Sequence, residues 1–196
     1  MKFSPRTVEN NVLISKGLPA LRIQISPQFT YVGSIRFPLY NAAHVEQHHF
    51  VIPDAARRVE RLLWFQFEGY FDTNEYKYQY SIQDTLTLGG LTFLYDADTL
   101  NIDNDYKERP SSDSAHVVDF LKQEGYILEG DTIFKRIVWL DSDLRNELMV
   151  IYTESLNSPG YRASILTESG VNDNERISIF NTLHERALSS FTVDQG

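Results

Sequence analysis

The chain has 196 residues, 42% of them apolar and 13% aromatic, and its 27 acidic against 18 basic side chains leave a formal net charge of −9. That is enough apolar material for one folded domain with a sizeable core, which excludes a disordered chain. The acidic excess repels phosphate backbones, and the absence of cysteine excludes disulfides, thiolate metal sites and cysteine nucleophiles.

The opening residues, MKFSPRTVENNVLISKGLPA, contain no continuous apolar segment, because Glu9, Asn10 and Asn11 interrupt them. No run approaches the length of a membrane span. The densest basic cluster, Arg57, Arg58 and Arg61, is diluted by Asp54 and Glu60. The expectation is a soluble, cytoplasmic protein with neither a membrane nor a nucleic-acid partner.

Strands dominate the first half. Leu21 to Ile25 alternates apolar and polar residues, and Phe29 to Phe37 follows as far as Pro38. AHVEQHHFVI, Ala43 to Ile52, holds three of the five histidines and leads to Pro53. Val59 to Phe71 is a long strand that a turn at Asp72 to Glu75 connects to another at Tyr76 to Ile82. Thr85 to Tyr95 contains Gly89-Gly90, which predicts a bulge or sharp bend. Residues 96–113 are polar and read as a surface loop or lid.

Helical spacing occurs in two places. Ser111, Ser112 and Asp113 are candidate caps for a helix through Glu124, with Val117, Val118 and Leu121 on one face and Gly125 beyond its end. A second helix from Asp173 to Phe191 carries a stripe of Ile177, Phe180, Leu183, Ala187, Leu188 and Phe191. Between them lie strands at Thr132 to Leu140 and Glu147 to Glu154, with a weaker one at Tyr161 to Leu166. The predicted fold is α+β in a single domain over 1–196. It is a mainly antiparallel, curved sheet of about eight or nine strands, able to curl into a barrel, with two helices.

Three groups of residues carry candidate chemistry. On a strand, His44, Glu46 and His48 share a face, and two imidazoles with a carboxylate suit zinc or non-haem iron. The outer two stand about 13 Å apart along a straight strand, so a bulge or a further ligand such as His116 or His184 would be needed. His184 lies within the apolar stripe of its helix, where it is either a core-edge histidine or a general base. The third group is the polar residues within apolar strands: Trp64, Glu68, Tyr70, Arg136, Tyr152 and Glu154, with Tyr76, Tyr78 and Tyr80. If the sheet curls, these would line a pocket with apolar walls and a few fixed polar groups; otherwise they form one solvated face. Asp96, Asp98, Asp103 and Asp105 lack the spacing of a calcium loop, and no phosphate-binding glycine loop or nucleophile elbow occurs.

The leading expectation is a binding module for a small, partly apolar ligand. A metal-assisted enzyme using His44, Glu46 and His48, with Glu68 or His184 as acid or base, is the alternative. A partner-binding or homo-oligomerising sheet is the third, since Tyr and Trp suit interfaces as well as cavities.

Overall fold

A computed structural model describes residues 6–157 and 173–195, which form eleven strands and three helices. In chain order these are β1 (Thr7–Glu9), β2 (Val12–Ser15), β3 (Leu21–Ile25), β4 (Thr30–Leu39), β5 (Ala43–Pro53) and β6 (Val59–Tyr70). There follow β7 (Thr85–Leu88), β8 (Leu91–Asn101), α1 (Ile102–Glu108), α2 (Asp113–Gln123), β9 (Asp131–Leu140) and β10 (Asn146–Ser155). The chain ends with α3 (Asp173–Ser189) and β11 (Phe191–Asp194). The architecture is α+β, and the named strands pair antiparallel throughout.

A seven-stranded sheet runs β4-β5-β6-β10-β9-β8-β7, and a four-stranded sheet runs β1-β2-β3-β11. Neither closes on itself, so the expected barrel gives way to two open sheets. The reason lies in the middle of the large sheet. Strands β5, β6 and β10 are buried on both faces, as their near-continuous apolar runs require. On β6, Leu63, Phe65 and Phe67 join one core with Ile23 and Ile25 of the small sheet and with Leu183 and Ala187 of α3. Leu62 and Trp64 join a second core with Val117, Phe120 and Leu121 of α2 and Ile102 of α1. The large sheet is thus the middle of three layers, and each fully buried Phe in it contributes about 1.5–3 kcal/mol of transfer free energy.

Several elements differ from the sequence reading. Residues 76–82 are not a strand. They cross the large sheet as an irregular strap, which Arg145 holds through bonds to the Tyr76 and Phe71 carbonyls of 3.0 and 2.8 Å. Their alternating tyrosines reflect side chains that reach down to buried carboxylates rather than a pleated ladder. The 96–113 region is no loop: β8 continues to Asn101, whose side chain accepts the Asn104 amide at 3.0 Å and starts α1. Its polar composition belongs to a half-exposed strand and a short surface helix. Strands β1, β2 and β11 are too short for alternation to announce them; pairing creates them, of β2 and β11 with β3 and of β1 with β2. Helix α3 stops at Ser189, and Phe191 opens β11. The strand expected over Tyr161 to Leu166 lies outside the described residues.

Gly89-Gly90 is the two-residue loop of the β7–β8 hairpin, with φ of 55° and 79°. A Cβ on Gly89 would stand 2.5 Å from the Val193 carbonyl oxygen. Gly89→Ala is therefore expected to lower stability by about 1–3 kcal/mol in urea denaturation, more than the left-handed conformation alone would cost. No helix among the described residues is long and apolar enough to cross a membrane.

Candidate functional site

Alternation on the central strands sends a line of polar side chains toward α2. The register pairs Gln47 with Gln66, Val45 with Glu68, and Glu68 with Glu147, so these polar residues share the helix-covered face. His49 Nε2 lies 3.2 Å from Gln47 Oε1, and Gln47 Nε2 donates to Gln66 Oε1 at 2.6 Å. Gln66 Nε2 donates to Glu68 Oε2 at 2.8 Å, and the Tyr78 hydroxyl donates to Glu68 Oε1 at 2.9 Å. Beside it, the Tyr80 hydroxyl donates to Glu147 Oε2 at 2.7 Å. The strap over residues 76–82 thus supplies one phenol to each carboxyl.

Burial raises the carboxyls of Glu68 and Glu147 above their ordinary range; the Glu68 charge further opposes ionisation of Glu147, and Asp113 opposes both. The Tyr78 and Tyr80 phenols are raised too, first by burial and then by these carboxylates. His49 is held down at about 3, chiefly by burial, and is neutral at physiological pH. Its ring packs on Phe120 of α2, with centroids 4.7 Å apart.

Next to this line, where the α1–α2 junction roofs the sheet, is a cavity of about 180 Å³. Its walls include Leu62, Trp64, Leu100, Ile102, Leu128, Phe134, Met149 and Ile151, with Thr132, Thr153, Arg109, Asp113, Ser114 and Arg136 as polar members. The roof is braced by Asp105, which accepts from Arg109 Nε at 2.7 Å and from the Ser114 hydroxyl at 2.5 Å. Arg136 is held in place by Asp96 of β8, with Nε 2.9 Å from Oδ1 and a second contact through Nη2. Trp64 is 7% exposed, and its Nε1, shielded from solvent, has no hydrogen-bond partner.

The residues expected to line one pocket fall on two faces. Trp64, Glu68, Tyr78 and Arg136 belong to the helix-covered face, and Tyr70 stacks on Tyr78 with centroids 4.4 Å apart. Tyr152 belongs to the opposite core, and its hydroxyl donates to Glu154 at 2.6 Å. Arg186 of α3 completes that pair at 2.8 Å. His184 also lies on that side, tilted against Tyr95 at 5.4 Å. Glu154 therefore does not meet Glu68 and Arg136: positions 147 and 154 of one strand differ in parity and face opposite ways.

His44, Glu46 and His48 do share a face, but not around a metal-shaped space. Glu46 accepts from Arg6 at 2.9 Å, from Arg36 at 3.1 Å and from His48 Nε2 at 3.1 Å. Tyr31 engages the other His48 nitrogen at 3.2 Å, and His44 packs on Phe71 at 4.4 Å. Among the described residues no group of three or more His, Asp or Glu side chains could hold a metal ion. Glu46 and His48 belong to a buried ion-pair cluster with Arg6, whereas His44 is exposed, and the metal reading is set aside. Burial works against the Glu46 carboxylate, but the hydrogen bonds from His48, Arg36 and Arg6 together outweigh it and hold the carboxyl at about 2.

Sequence reasoning passed over Glu147, His49, Gln47, Asp113 and Arg109. Alternation put Gln66 and Glu68 on one face but could not say which strand lies beside them, and that neighbour makes Glu147 a partner. Comparison with protein-family models, with curated proteins and with solved structures finds no match.

Proposed function

We propose that the chain is a binding protein for a small, partly apolar acid, held in the cavity beneath α1 and α2 with Trp64 Nε1–H as the orienting donor. The unpartnered indole N–H in an apolar wall carries this reading. A buried donor without an acceptor costs about 1–3 kcal/mol, which a ligand oxygen would recover. An apolar protein cavity of roughly 150 Å³ takes one benzene ring, so the space suits a monocyclic aromatic or short branched aliphatic body. Arg109 and Arg136 in the lining favour a carboxylate over a neutral head group. The cysteine-free composition accords with a reducing, cytoplasmic setting.

Isothermal titration with benzoate, phenylacetate and isovalerate tests this, with benzamide as the neutral control. Saturable binding of at least one acid is expected, weakened about tenfold or more in Trp64→Phe, which keeps the ring and removes the donor. Ile151→Phe, which fills the space, should abolish it. If every acid fails to bind, or Trp64→Phe binds as tightly as the parent protein, the reading is wrong.

The Glu68–Glu147 pair favours a second reading, an acid–base enzyme acting on the same ligand. Glu147 lies two residues before Met149 on the same face of β10, about 6–7 Å along the strand, and a carboxyl kept protonated by burial is a proton donor at neutral pH. With Glu68 as the base that removes the α-proton of bound phenylacetate and protonated Glu147 as the donor to its carboxylate oxygen, deuterium exchange at that carbon, followed by proton NMR and lost in Glu147→Gln, is the expected signature. Absence of exchange in the parent protein leaves the binding role alone.

A further inference from the structure

Across the sheet from that cavity, the same strand β9 that sends Arg136 toward α2 sends Lys135 toward α3. Lys135 is 2% exposed, and its ammonium lies 3.8 Å above the centroid of the Tyr95 ring. Among the described residues no carboxylate lies within ion-pair distance of it and no hydrogen-bond acceptor engages it. It forms part of the wall of an open pocket of about 790 Å³ between β8, β9 and α3. Other groups facing this space are Asp84, Asp96, Arg176, Phe180, Asn181 and His184. Asp96 is engaged by Arg136, which leaves Arg176 as a guanidinium facing the pocket and Phe180 and Tyr95 as its apolar surfaces.

We propose that Lys135 is an amine nucleophile that forms an imine with a small 2-oxo acid, whose carboxylate is received by Arg176. The Lys135 nitrogen lone pair attacks the keto carbon, forming the C–N bond, and the carbonyl oxygen takes up a proton. The resulting carbinolamine loses that oxygen as water while nitrogen gives up its proton, so one amine and one ketone become one imine and one water. His184 is placed to carry these protons. It packs against Tyr95, and burial and the nearby Lys135 charge shift it toward the neutral form. Three features of the pocket support this. The amine has an aromatic face in place of an anion, which holds the charged form less firmly than a buried ion pair would. Burial brings it down to about 8, against a smaller opposing pull from Asp96 and Asp84. At pH 7.5 more of it is therefore neutral than of an ordinary lysine. The pocket volume also lies within the range of roughly 300–1,000 Å³ usual for small-molecule sites.

The test is limiting glyoxylate with cyanoborohydride at pH 7.5, which reduces the imine to a stable secondary amine, followed by peptide mapping. The exposed Lys16, Lys77, Lys107 and Lys122 serve as internal references. Lys135 should label at least fivefold faster than any of them, and Arg176→Gln should slow labelling by glyoxylate severalfold while leaving labelling by acetaldehyde unchanged. Labelling of Lys135 no faster than the reference lysines overturns the proposal. Equal loss with both reagents, or with neither, overturns the assignment of a 2-oxo acid. The readout lies on the opposite face from the Trp64 cavity and is independent of acid binding there.

Discussion

Glu46→Ala is expected to lower the unfolding free energy by about 3–5 kcal/mol at pH 7, measured by urea denaturation. The magnitude comes from what the carboxylate leaves behind. Arg6 has a side chain only 6% exposed, stacked 3.7 Å over the Phe67 ring, and Glu46 is the carboxylate that compensates its charge. With Glu46 gone, a guanidinium already disfavoured by burial stays in the core without its counter-charge. Combining Glu46→Leu with Arg6→Met should recover most of the loss, because an apolar pair of similar volume needs no desolvation of charge. The carboxyl is depressed from 4.5 to about 2, so the folded state releases a proton that the unfolded chain holds. Its stabilisation is therefore present above about pH 4.5 and disappears as pH falls through about 2. A loss below 1 kcal/mol for Glu46→Ala would show that Arg6 finds water or another partner instead.

Glu147→Gln should have the opposite sign and the opposite pH dependence. Burial raises both Glu68 and Glu147 above their ordinary 4.5, with the Glu68 charge a further cause at Glu147 and Asp113 at both, so the folded state binds protons that the unfolded chain releases. Stability from this pair is complete below about pH 4.5 and is lost as pH rises through the raised folded-state values. The amide variant keeps the acceptor for the Tyr80 hydroxyl and removes the charge. It should be more stable than the parent by about 1–3 kcal/mol at pH 8.5 and equal to it within about 0.5 kcal/mol at pH 5. Parallel stability curves for the two proteins across that range would mean that burial does not raise the Glu147 carboxyl. Glu68→Gln is a poorer probe. Glu68 accepts from both Gln66 and Tyr78, and an amide that still accepts from Gln66 must turn its NH2 to the Tyr78 oxygen and reverse that hydrogen bond.

These two clusters, and the cavity between the sheet and its helices, mark how far the residues alone could lead. Facing patterns were legible: Leu63, Phe65 and Phe67 oppose Trp64, Gln66 and Glu68 in the structure as alternation requires. So were the antiparallel α+β class, the Ser112 cap of α2, and α3 with Leu183 and Ala187 turned inward. The tyrosines of the strap have a spacing of two that mimics a pleat, while their hydroxyls answer buried carboxylates. The polar run after Asp96 hid a strand and a helix because neither is buried on more than one side.

What the sequence determined by itself was local: period, caps, turn chemistry, and the side of each strand on which a residue falls. These depend on backbone geometry within a few residues. Which strands lie side by side was decided only by the tertiary structure, because hydrogen-bonded ladders join any two extended segments and side-chain burial selects among them. That choice set Glu147 against Glu68, turned Glu46 from a metal-ligand candidate into the counter-ion of Arg6, and put Trp64 and Lys135 on opposite faces of one sheet.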